Sequence, residues 1–142
     1  MHVNYEAQSL TNLLKGGLCD EIARLIPQPA FNESSNCRAC PQTNNYGLVG
    51  TAFDYLIDIK TTKEKRLDNR TWSQLICYLI LTQINCELGT KNCFPFINKV
   101  GIYYSRYGQV LLTDAKYILK HDNYRAVREA LLKRAKASHE GN

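Results

Sequence analysis

Long apolar runs are missing from this chain. No stretch approaches the ~20 residues of a membrane-spanning helix, so no membrane partner is expected. The N-terminus lacks a basic start followed by an apolar segment, the pattern that directs secretion. Internal repeats are absent as well, which argues against stacked-repeat folds. Histidine is scarce: His2, His121 and His139 are scattered and form no metal-like pair. The six cysteines therefore read as reduced thiols of a cytoplasmic protein. Cys37-Arg38-Ala39-Cys40 has the spacing of half a zinc site, but no second pair of ligands accompanies it. The alternative is two loop thiols that help to pack a turn.

What the chain has is enough apolar and aromatic material to fold. Hydrophobic residues make up 44% of the 142 positions and nine are Tyr, which opposes disorder and fits a single domain. Eighteen Lys and Arg against thirteen Asp and Glu leave a net charge of +5. That balance permits a polyanionic partner without requiring one.

Periodicity divides the chain into three parts. Residues 1–46 hold helix and loop. Helical spacing over 5–26 is broken at Gly16-Gly17, giving one helix or two shorter ones, and Pro27 and Pro29 end it. Residues 27–46 read as a polar loop. In the core, 47–113, residues 47–56 read as the start of a helix and 56–62 as a strand. A charged loop over 63–70 leads to a largely apolar helix over 70–86, which Asp68 or Asn69 caps. A strand over 97–106 turns at Tyr107-Gly108 into a return strand over 109–113. The last part, 114–142, reads as two helices, 114–120 and 122–137. The second carries an apolar stripe through Tyr124, Val127, Leu131 and Ala135. This order predicts an α/β or α+β unit, a small three-stranded sheet flanked by helices. Its strand–helix–strand crossover is expected to be parallel.

The most informative stretch is Leu56-Ile57-Asp58-Ile59-Lys60. Strand alternation puts Ile57 and Ile59 on one face and Leu56, Asp58 and Lys60 on the other. A carboxylate and an ammonium then sit about 6–7 Å apart along one face. On the following helix Trp72, Leu75, Ile76 and Leu79 form an apolar stripe, while Gln74 and Tyr78 are i, i+4 neighbours on another face. A carboxylate that holds Mg²⁺ beside a lysine suits phosphodiester chemistry, because the ion polarises the phosphate and acidifies its water.

The order of a strand bearing Asp58-x-Lys60, a short basic loop, a helix bearing Gln74-x-x-x-Tyr78 and another strand resembles the PD-(D/E)xK nuclease superfamily. Its RecB-like branch, with a D-x-K strand and a Q-x-x-x-Y helix, is the more similar. The resemblance covers roughly residues 47–112 and extends to Gly50-Thr51-Ala52-Phe53-Asp54-Tyr55-Leu56 and Ile102-Tyr103-Tyr104-Ser105-Arg106-Tyr107-Gly108. It implies a reduced restriction-endonuclease-like core acting on DNA. Asp58 would be the Mg²⁺ ligand, Lys60 the phosphate contact, and Gln74 and Tyr78 the residues lining the catalytic site. Lys63, Lys65, Arg66 and Arg106 would bind the nucleic-acid backbone.

One departure is plain. Relatives place further elements between the G-T-A-F-D-Y-L segment and the D-x-K strand, and these hold the first Asp of the signature. Here Leu56 runs straight into Ile57, so that Asp is lacking. Asp54 is a poor substitute: in one extended strand it would lie about 13 Å from Asp58, whereas Mg²⁺ binds oxygen at about 2.1 Å. Two functions stay open on these residues. One is a metal-dependent nuclease. The other is a catalytically inactive remnant that binds nucleic acid or protein.

Overall fold

The computed structural model describes residues 17–34, 49–50, 55–64, 66–89 and 97–140. In chain order these form α1 (Leu18–Leu25), β1 (Asn32–Ser34), β2 (Val49–Gly50), β3 (Tyr55–Lys60) and α2 (Asn69–Glu87), followed by β4 (Lys99–Tyr104), β5 (Gln109–Asp114), α3 (Ala115–Leu119) and α4 (Tyr124–Glu140). The result is a small α/β fold whose sheet is built on three six-residue strands, β3, β4 and β5.

β3 and β4 run parallel, in the register Asp58↔Ile102 and Lys60↔Tyr104. The crossover between them contains α2, as the strand–helix–strand order requires. β4 and β5 are an antiparallel hairpin that pairs Tyr104 with Gln109. Its turn over 105–108 is allowed by Gly108 at φ 59°, a left-handed conformation that favours glycine. Gly101 serves a different need. A Cβ there would lie 2.1 Å from the Leu111 carbonyl oxygen of β5, so the hairpin closes only around a residue without a side chain.

Two short strands extend the sheet to the order β1-β5-β4-β3-β2. Neither appears in the sequence reading. Asn32–Ser34 lies within the expected polar loop yet pairs antiparallel with β5. Val49 and Gly50, expected in a helix, pair antiparallel with Leu56 and Tyr55. The free edge of β3 supplies a ladder of backbone partners, and two residues satisfied by it outweigh a weak local helical pattern that begins and is broken by glycine. Tyr55 and Leu56 likewise belong to β3.

α2 covers the sheet face that carries Leu56, Val100, Ile102 and Tyr104, and these pack with Trp72, Leu75, Ile76 and Leu79 in one core. The apolar stripe expected of this helix is fully buried. Each such side chain contributes about 1.5–3 kcal/mol through removal from water. Trp72 is also a tether. Its indole N–H donates to the Ile26 carbonyl at 2.7 Å, and Phe31 meets its ring edge-on at 5.6 Å. Ser73 Oγ donates to the Cys19 carbonyl at 2.7 Å, docking α1 on α2. The C-terminal helices fasten to the same region through Tyr117 to Pro27 O at 2.6 Å and Asn123 to Leu25 O at 2.7 Å. Arg128 closes a bidentate ion pair on Glu87, tying α4 to the end of α2.

Cys19 and Cys77 are free thiols. Cys86 is disulfide-bonded, which differs from the all-thiol state expected; its partner lies outside the described residues. Cys37, Cys40 and Cys93 also lie outside them. No helix among the described residues is long and apolar enough to cross a membrane.

Candidate functional site

The site forms where the end of β3 meets the first turns of α2. Alternation along β3 turns Asp58 and Lys60 to the helix-covered face, and Lys60 Nζ lies 3.0 Å from Asp58 Oδ2. The two side chains are about a quarter exposed, 24% for Asp58 and 28% for Lys60, so solvent reaches the pair. From α2, Gln74 offers its Oε1 to the same ammonium at 3.5 Å. Tyr78 stands one turn further on. Burial pushes its hydroxyl pKa up, and the Asp58 charge pushes it further in the same direction. The structure thus brings Asp58, Lys60, Gln74 and Tyr78 together. Lys60 is the hub, bridging the strand carboxylate and the helix amide.

Two further residues lie by this cluster: Tyr104, which was not singled out from sequence, and Asp68, which was read there only as a helix cap. Tyr104 sits beside Lys60 in the parallel register. It is 2% exposed, and its hydroxyl has no hydrogen-bond partner among the described residues. Burial raises its pKa, and the charges of Asp68 and Asp58 raise it further. The signal that could have found it is the shared alternation of Asp58-x-Lys60 and Ile102-x-Tyr104 on adjacent parallel strands. Asp68 is the second residue. It caps α2 by accepting the Thr71 N–H at 2.8 Å. That backbone bond holds its carboxyl below the usual carboxylate range. The Thr71 side chain, Lys60 and Arg66 pull in the same direction, against a smaller opposing effect of burial.

The basic side chains ride on the loop after β3 and on the β4–β5 turn, which form the rim of the site. Lys63, Arg66 and Arg106 are exposed, and Lys65 lies outside the described residues. The hairpin turn is fastened to the end of β3. Ser105 donates to the Lys60 carbonyl from its backbone N–H at 3.0 Å and from its Oγ at 3.2 Å. Tyr107 donates its hydroxyl to the Lys63 carbonyl. Arg106 and Lys63 are therefore carried on two segments bonded to each other.

Magnesium usually takes carboxylate oxygens plus water in an octahedron. Among the described residues no group of three or more His, Cys, Asp or Glu side chains could hold a metal ion. Asp58 is paired with Lys60, and Asp68 is engaged in capping. Asp54, the other carboxylate considered, lies outside the described residues. The side chains gathered here are the Asp58 carboxylate, the Lys60 ammonium, the Gln74 amide and the Tyr78 hydroxyl, with the buried Tyr104 hydroxyl beside them.

The fold and cluster define a small α/β protein with a lysine-centred polar site at a strand–helix junction. Comparison with protein families, curated proteins and solved structures finds no match to the chain.

Proposed function

We propose that this chain is a nuclease-like protein of the PD-(D/E)xK, RecB-like kind, whose polar cluster receives a phosphodiester of DNA. The observation that supports it is the position of Lys60, held 3.0 Å from Asp58 and 3.5 Å from Gln74 at a partly open strand end. A phosphate oxygen competes well for an ammonium placed between a carboxylate and a neutral amide, because it offers charge where Gln74 offers only a dipole. Lys63, Arg66 and Arg106 extend the positive surface along the rim for the flanking phosphates.

Cleavage and binding are separable outcomes of one experiment. Labelled single- and double-stranded DNA is incubated with the purified protein in Mg²⁺ or Mn²⁺ at low salt. Cleavage that disappears in Asp58→Ala and Lys60→Ala identifies a metal-dependent phosphodiesterase. Salt-sensitive binding without cleavage identifies a catalytically inactive, DNA-binding remnant. Absence of both cleavage and binding removes the DNA reading altogether and leaves a protein-interaction module.

A cytoplasmic location is proposed with it: the free thiols of Cys19 and Cys77 support it, and the disulfide of Cys86 opposes it. Thiol titration of protein taken directly from cells tests the placement. A persistent Cys86 disulfide counts against it.

A further inference from the structure

Among the described residues, Tyr107 is one of three large hydrophobic side chains that face solvent, at 46% exposure. A tyrosine ring so exposed at a hairpin tip usually moves freely, but this one is held. Its hydroxyl donates to the Lys63 carbonyl, its backbone N–H donates to the Tyr104 carbonyl at 3.0 Å, and Ser105 fixes the turn to the end of β3 through two bonds to the Lys60 carbonyl. The hydroxyl of the ring is thus bonded to the loop after β3, and the turn that carries it is bonded to the end of β3. Arg106 precedes it in the turn and Lys63 anchors it from the loop. The acidic groups on these segments are Glu64, exposed on the loop, Asp68, engaged as the α2 cap, and Asp58, paired with Lys60 on β3.

From this arrangement we infer that Tyr107 is a base-stacking platform that selects single-stranded DNA. The inference rests on the DNA-binding reading above and adds the substrate class to it. A rigid aromatic face accepts any base, because every base has a π-face, while adjacent cations hold the backbone. In a duplex the base faces are covered by their neighbours and cannot stack on a side chain. In a single strand, a phosphate at Lys60 leaves a nearby base free to rotate onto Tyr107. The Lys63 tether contributes by lowering the entropy lost when the ring is covered.

The test measures binding by fluorescence anisotropy at low salt, with the full chain. The ligands are a short single-stranded oligonucleotide, the same strand with one abasic site placed in turn at each position, and the matching blunt duplex. Wild-type protein is expected to prefer the intact single strand and to lose about 5- to 150-fold in affinity when the stacked base is missing. Tyr107→Ala is expected to lose as much on the intact strand and to become indifferent to the abasic position. Tyr107→Phe keeps the ring without its tether and is expected to retain the abasic sensitivity, which separates stacking from mere support of the turn. Equal binding of the intact strand by Tyr107→Ala and wild type overturns the platform while leaving DNA binding intact. So does a wild-type preference for duplex, or a Tyr107→Ala loss that is the same at every abasic position. If wild type binds no DNA, both the platform and the reading beneath it fall.

Discussion

Tyr104 buries a hydroxyl that finds no partner among the described residues, next to the lysine on which the site is centred. A buried polar group without a partner costs about 1–3 kcal/mol. Phenylalanine has the same ring and no such group, so Tyr104→Phe is expected to leave the thermal midpoint unchanged or raise it by a few degrees. Thermal unfolding followed by circular dichroism measures this. A clear fall in the midpoint would mean that an ordered water or a neighbouring side chain satisfies the hydroxyl in solution. Tyr104 also marks where residue-level reading stops. Asp58 and Lys60 are two positions apart on one strand, and Gln74 and Tyr78 four apart on one helix, so local periodicity groups each pair. Tyr104 joins them through strand register, which no local spacing reports.

At the level of elements, α2 depends on its first turn. The helix has no acidic residue in that turn, so Asp68 at the cap position meets its open N–H groups. Replacing a capping Asp by Ala typically costs about 0.5–2 kcal/mol, and Asp68→Ala is expected to fall in that range by urea denaturation. The carboxyl of Asp68 is held below its usual value near 3.8. Its contribution is therefore fully present above that pH and fades as acid carries the solution through the lowered folded pKa. Asp68→Asn, which still accepts the Thr71 N–H, should flatten the acid limb of the stability profile. An unchanged acid limb in Asp68→Asn would show that other carboxylates govern it. This cap was one of two read from the sequence, Asp68 or Asn69, and the Thr71 bond decides between them. The central strands and α2 were legible because alternation and 3.6-residue spacing are local signals. The outer strands were not. Asn32-Glu33-Ser34 carries no apolar alternation and Val49-Gly50 is too short to show any, so both exist through partners distant or downstream in the chain.

For the whole molecule the net charge of +5 decides little, because its distribution sets what a polyanion meets. Lys60, Lys63, Arg66 and Arg106 ride on two segments tied together by Ser105 and Tyr107. If a single strand contacts all of them, the logarithm of its binding constant should fall with the logarithm of salt at a slope of about −0.7 per phosphate neutralised, or about −3 in total. Arg66→Ala and Arg106→Ala should each make the slope shallower by about 0.7. Tyr107→Ala should weaken binding at every salt concentration and leave the slope as it was, since a stacking ring releases no counterions. The two kinds of variant therefore separate along different axes of one titration. A slope that does not respond to either arginine would move the DNA path off this rim. The other basic surface is the C-terminal segment, where α4 carries Arg125, Lys133 and Lys136 exposed, and the corresponding charge removals there would then be the ones to change the slope.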